Sequence, residues 1–171
     1  MEFSNLIKGR YSVRKFSAAP VEKEKLNAIL EAGRVAPTAH NSQPQRILVI
    51  EDRAALDKLP DCTPCHFNAP LALLVCTDNS ACWRREDGKL SGEIDAAIVC
   101  THMMLEAANL GLGCTWVMMF DPEKMREAYN IPENIVPVTF LPIGYPAENA
   151  RPSRLHGDRK SSDETIVYNQ F

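Results

Sequence analysis

Residues 94–110 read IDAAIVCTHMMLEAANL, and this stretch decides the fold. Ile94, Ala97, Ile98, Thr101, Leu105 and Ala108 recur at three- and four-residue intervals, so they share one face of a helix. Met103, Met104 and Leu110 extend the apolar surface beyond that face. A helix apolar on most sides belongs in the centre of a core or at a subunit interface. Asp95 is an early-turn charge suited to the helix dipole. Gly111-Leu112-Gly113 ends the helix.

Toward the C-terminus, Cys114 to Met119 predicts a strand. Asp121 as cap and Pro122 at the first position predict a helix over 122–129. Val138 to Ile143 predicts another strand. Residues 146–163 are polar and rich in Arg and Pro, as expected of an arm on the surface or across a partner. Toward the N-terminus, Ala72 to Cys76 and Ile47 to Ile50 read as buried strands and 53–59 as a short helix. Residues 35–45, rich in Pro, Thr, Asn, Ser and Gln, read as a loop. Leu26, Ile29 and Leu30 mark a helix after Pro20 that stops at Gly33. Residues 2–8 form a short helix ended by Gly9, followed by an extended segment from Arg10 to Phe16. Helices and strands alternate without a regular βαβ rhythm, which predicts an α+β fold.

The chain has 171 residues, 45% of them hydrophobic and 24% charged. That length suits one domain over 1–171, burying about 70% of its unfolded surface. Such a composition excludes function through disorder. A net charge of −3 excludes a global positive field for nucleic acid or acidic membranes. The first ten residues lack a basic start followed by a long apolar run, and no apolar run approaches the length of a membrane span. The expected location is the cytoplasm, where the six cysteines would be reduced.

Two segments carry chemistry. Arg10, Ser12 and Arg14 are spaced two apart, so an extended chain places all three on one side. Two guanidinium forks and a hydroxyl there suit a phosphate, though a solvated edge strand has the same spacing. The loop Ala36-Pro37-Thr38-Ala39-His40-Asn41-Ser42-Gln43-Pro44 offers two side-chain amides. Each presents a donor and an acceptor, able to read a ring's imide edge or to satisfy the loop's own backbone.

Together these segments resemble the nitroreductase family of flavoenzymes. Gly9-Arg10-Tyr11-Ser12-Val13-Arg14-Lys15-Phe16 is similar to the family's R-x-S-x-R-x-[FY] opening. Ala36-Pro37-Thr38-x-x-Asn41-x-Gln43-Pro44 is similar to its A-P-[ST]-x-x-N-x-Q-P loop. Gly111-Leu112-Gly113-Cys114-Thr115-Trp116 and Ile143-Gly144-Tyr145-Pro146 resemble its G-L-G-x-x-W and I-G-Y-P. The four motifs stand in the family's order.

The resemblance implies a mainly antiparallel central sheet flanked by helices, and a homodimer with FMN at the subunit interface. It places Arg10, Ser12 and Arg14 on the phosphate and ribityl side of FMN, with Arg14 also near the N1/C2 carbonyl end of the ring. Tyr11 stands where the family often has Arg or His. Pro37, Thr38, Asn41 and Gln43 match the loop that touches flavin from the partner. A C-terminal basic residue, Arg159 or else Lys160, would meet the phosphate. Where the family often has a small residue near flavin N5, this chain has Met118 and Met119: a backbone N–H of one or the other would face N5, while the bulky side chains narrow or reshape the substrate face. NADH or NADPH would supply hydride to the flavin, and nitroaromatics, quinones or similar conjugated acceptors would receive it. The flavin is the reactive group, so no catalytic side chain is assigned.

Cys62-Thr63-Pro64-Cys65-His66 fits the C-x-x-C-H haem pattern, but the favoured reading is a loop with incidental thiols. Cys76, Cys100 and Cys114 read as small buried hydrophobes. Two alternatives stay open: a non-catalytic flavin-binding or storage protein, and a thiol or metal redox protein using Cys62 and Cys65.

Overall fold

An eight-residue strand, Leu71–Asp78, apolar from Leu71 to Cys76, forms the middle of the structure, a computed structural model that describes residues 2–171. Every residue of this strand is buried. Its alternate side chains point to opposite faces of a sheet. Leu71, Leu73 and Val75 enter one core cluster, while Ala72, Leu74 and Cys76 enter another. A strand covered on both faces has no polar side, which is why the sequence shows no alternation there.

In chain order the elements are α1 (Phe3–Gly9), α2 (Lys23–Arg34), β1 (Gln45–Ile50), α3 (Arg53–Leu56), α4 (Leu59–Cys62), β2 (Leu71–Asp78) and α5 (Gly92–Asn109). β3 (Gly113–Cys114), α6 (Pro122–Tyr129), β4 (Ile135–Gly144) and α7 (Ser162–Thr165) follow. The sheet order is β1-β2-β4-β3, and every pairing is antiparallel. Leu26 and Ile29 of α2 and Val99 and Met103 of α5 pack on one face. Leu59 of α4 and Met125 of α6 join Phe140 on the other. Helices thus cover both sides of an antiparallel sheet, the α+β arrangement expected.

Several expectations are corrected. The helix predicted over 53–59 is two short helices, α3 and α4. The strand predicted over 114–119 pairs only at Gly113–Cys114, and the chain then meets β4 again at a single bridge, Val117 to Phe140. Neither Gly9 nor Gly33 ends a helix by left-handed geometry. Gly9 is inside α1, and α1 exits through an extended Arg10. Gly33 lies within α2, where a Cβ would sit 2.8 Å from Met103 Cγ; it permits close packing on α5.

The faces of α5 also differ from expectation. Its core face is Ala96, Val99, Cys100, Met103 and Ala107, all fully buried. The predicted face is left over: Ile94 is exposed, and Ile98, Thr101 and Leu105 are half-buried. Asp95, read as a dipole charge, is 1% exposed and does other work described below.

Two motif glycines fix the N-terminal segment. Val13 N–H donates to Cys114 O at 3.0 Å, and Ser12 bridges Cys114 in parallel sense. A Cβ on Gly113 would lie 2.5 Å from Val13 Cγ2, so only glycine lets the two backbones pair with Val13 between them. Phe16 bridges Pro146, and a Cβ on Gly144 would crowd Phe16 and Pro70. The extended segment 10–16 is therefore seated by two glycines far along the chain, Gly113 and Gly144.

Replacing Gly113 with Ala should cost about 1–3 kcal/mol by overpacking. Urea unfolding of Gly113→Ala, Val13→Ala and the double variant should show non-additivity, because trimming Val13 relieves the clash. Asp121 accepts from the Glu123 and Lys124 amides at 3.0 and 3.1 Å, so Asp121→Ala should lower stability by about 1 kcal/mol in the same assay.

Candidate functional site

Extended backbone from Arg10 to Arg14 puts the three predicted phosphate ligands on one side, and the structure brings them together. Arg10, Ser12 and Arg14 line a cleft of about 160 Å³. The opposite wall is the C-terminal arm, with Ser153, Leu155, His156 and Arg159. The arm turns here through a short 3-10 helix, Arg154–His156, capped by Ser153 Oγ accepting from the Leu155 amide at 3.3 Å. Three guanidinium groups and two serine hydroxyls face the cleft, and no carboxylate lines it. Like charges gathered without a counter-ion suit a multiply charged anion such as a phosphate.

The guanidiniums are not consumed by other side chains. Arg14 Nη1 donates only to the Ser12 carbonyl, and Arg159 Nη1 to the carbonyls of Leu155 and Asp158. Those bonds orient the forks while leaving their charge unneutralised. Of the two C-terminal candidates, Arg159 lines the cleft; Lys160 is exposed and outside that lining. His156 was not among the expected residues, because the arm's conformation decides which of its side chains turn inward. Tyr11 points to a neighbouring apolar groove of about 260 Å³ that also touches Arg10, Leu6, Val13, Met104 and Leu112. Its ring meets His156 edge-on, centroids 6.2 Å apart.

The amide-rich loop is a separate structure held on the start of α5. His40, Asn41 and Gln43 all adopt left-handed φ, 51°, 54° and 48°. Such a run needs outside support. Asp95 supplies it: one carboxylate oxygen accepts from the Ala39 amide at 2.8 Å, the other from Ser91 Oγ at 2.7 Å. Thr38 Oγ1 accepts from the Gln43 amide at 3.0 Å. His40 stacks on Trp83 with ring centroids 5.1 Å apart and planes 9° from parallel, a loop-stabilising contact. Pro37, Asn41 and Gln43 are left exposed at the surface. Within one chain these residues do not reach the Arg10–Arg159 cleft.

Met118 and Met119 are 72% and 66% exposed. Their backbone is nevertheless clamped. Buried Thr63 donates its hydroxyl to Met119 O at 2.6 Å, and the Asp121 amide donates to Cys62 O at 2.9 Å. The Cys62–Cys65 segment therefore positions the methionine turn. All six cysteines are free. Among the described residues no group of three His, Cys, Asp or Glu is placed to hold a metal ion. Burial pushes the thiols of Cys76 and Cys114 up to about 12, with Arg10 partly opposing the shift at Cys114, and it raises Cys100 and Cys62 as well. Thiolate chemistry is disfavoured at all four.

Comparison with known proteins gives a consistent result. The model of the nitroreductase family matches residues 7–63 and 63–145. A relative from Methanothermobacter thermautotrophicus is 32% identical over 171 positions, covering 91% of this chain and 86% of its own. It carries the provisional name NADH dehydrogenase/NAD(P)H nitroreductase. The crystal structure of a nitroreductase family protein from Clostridium difficile 630 is 40% identical, with a TM-score of 0.94 and complete coverage of both chains. An FMN-dependent nitroreductase from Clostridium difficile R20291 is 27% identical with a TM-score of 0.81, covering 99% of this chain and 100% of its own. The seating of residues 10–16 by the glycines of two later motifs is thus common ground between sequence pattern and fold, and the chain belongs to the nitroreductase family.

Proposed function

We propose that this chain is an FMN-dependent oxidoreductase that takes reducing equivalents from NADH or NADPH and delivers them to small conjugated acceptors such as nitroaromatics or quinones. The observation that carries the proposal is the convergence of Arg10, Ser12, Arg14 and Arg159 on one anion-sized cleft. One relative is named for NAD(P)H and another for FMN, the same donor class and cofactor. The chemistry FMN supplies when bound is hydride acceptance from nicotinamide and onward reduction of an acceptor.

The chain's own residues bind and orient. Arg10, Arg14 and Arg159 hold the phosphate by charge-assisted hydrogen bonds, with Ser12 as a neutral partner. Gln43 and Asn41 present exposed amides on a loop made rigid by Asp95. The Thr63 clamp fixes the Met118–Met119 backbone, so only the thioethers adapt to an acceptor. No side chain is given a proton-transfer role.

The functional unit is a homodimer of single-domain chains, with residues 146–171 as the C-terminal arm. The uncovered face of α5 supports this, as do exposed Phe3 and Ile7 on α1. So does the distance of the amide loop from the phosphate cleft within one chain, since a second copy would supply the loop. No helix of the described residues is long and apolar enough to cross a membrane. We place the protein in the cytoplasm.

The purified protein should be yellow and should bleach anaerobically on addition of NADH or NADPH. Binding of FMN without bleaching by either donor would favour a storage role instead. Arg159→Ala should weaken FMN binding about tenfold, the scale of one charge-assisted bond. Riboflavin, which lacks the phosphate, should bind variant and wild type equally in a fluorescence titration.

A further inference from the structure

The backbone of the methionine turn is held from two sides by buried hydroxyls. On one side stands the Thr63 bond to Met119 O. On the other, fully buried Thr139 of β4 donates its hydroxyl to Val117 O at 3.1 Å. Val117 and Phe140 also exchange both backbone bonds, amide to carbonyl, at 2.9 Å in each direction. The Val117 carbonyl thus receives two donors from β4, one for each lone pair. The Phe140 amide alone would satisfy it. A buried hydroxyl is costly unless bonded, and an apolar side chain would fill the same core position. What the Thr139 hydroxyl adds is direction.

A trans peptide is planar, and its N–H points opposite to its C=O. Holding Val117 O against β4 therefore turns the Met118 N–H the other way, out from the margin of the sheet. That is the side on which Cys114, also paired with β4, accepts the Val13 amide and seats the segment carrying Arg10, Ser12 and Arg14. Among the described residues neither the Met118 nor the Met119 amide has an acceptor. The two differ in how they are held. The peptide before Met119 is bonded only within the turn, Met118 O accepting from the Phe120 amide at 3.1 Å. The peptide before Met118 is fixed to the core. A carbonyl that accepts two bonds also polarises its own peptide, which makes the N–H a stronger donor.

We infer, on the basis of the flavin reading above, that Thr139 is a positioning residue for the reaction: through the Val117 carbonyl it aims the Met118 amide as a hydrogen-bond donor to the bound flavin ring. Neither residue gives up a proton. Thr139 holds a peptide plane, and that plane holds the ring in register for the nicotinamide donor. The assignment separates the two methionine amides, and it gives a purpose to a hydroxyl inside an otherwise apolar core cluster.

The test follows hydrogen exchange at the methionine amides of the full-length, isotope-labelled protein by NMR, with and without FMN. Binding should slow exchange at Met118 by about tenfold, the worth of one hydrogen bond, and leave the buried Met103 and Met125 as they were. Riboflavin should do the same, because the contact is with the ring and not the phosphate. In Thr139→Val the Phe140 pairing persists, so the chain should fold, but most of the slowing should be lost. Anaerobic bleaching at saturating NADH or NADPH should slow with it, at unchanged KM. Thr139→Ser restores the hydroxyl and should recover both. If valine crowds the core, Thr139→Ala removes the same hydroxyl and is read the same way. Bound FMN with no change at the Met118 amide would overturn the contact. Equal slowing in wild type and Thr139→Val, or no recovery in Thr139→Ser, would overturn the role of Thr139. Each of these results leaves the flavin reading standing, whereas failure of wild type to take up FMN would remove it.

Discussion

The short backbone contact between Val13 and Cys114 organises everything that follows in this molecule. It exists because Gly113 has no Cβ to collide with the Val13 side chain. With that contact made, Val13 is buried at 2% exposure, and its neighbours at 12 and 14 must turn outward. Burial of one apolar residue thereby aims a hydroxyl and two guanidiniums at the same point. A cationic feature of the surface thus follows from packing in the interior.

Much of this was legible beforehand, and for identifiable reasons. The helix over 122–129 was located by Asp121 and Pro122, whose capping preferences are local and need no tertiary information. The two-residue spacing of Arg10, Ser12 and Arg14 was also a local property, valid once the chain is extended. What failed was nonlocal. Asp95 looked like a dipole charge because its true partners, the Ala39 amide and Ser91, lie on other segments or outside the helix. The buried face of α5 was misassigned because both of its faces are apolar, so periodicity could not say which one meets α2 and the sheet. His156 was invisible because the arm has no repeating pattern, and a single turn decides where the ring points.

The C-x-x-C-H segment shows how a motif can be real in spacing yet different in purpose. Thr63, one of the two residues between the cysteines that no metal or haem pattern specifies, makes the decisive bond, to Met119 O. Cys62 contributes its carbonyl through the Asp121 amide and keeps its thiol buried. The segment thus connects the second core cluster to the methionine turn. Rigidity passes from a packed interior to exposed side chains that themselves remain free to move.

The two walls of the arginine-lined cleft differ in how firmly they are attached. Residues 10–14 are anchored to the sheet margin, whereas 153–159 are nearly all solvent-exposed and bonded mainly among themselves. Segments with so few buried contacts detach at a small fraction of the global unfolding free energy. A ligand held between the two walls would accordingly be released by peeling of the outer one, a local event. Residence time and thermal robustness become separable properties, and one can evolve without disturbing the other.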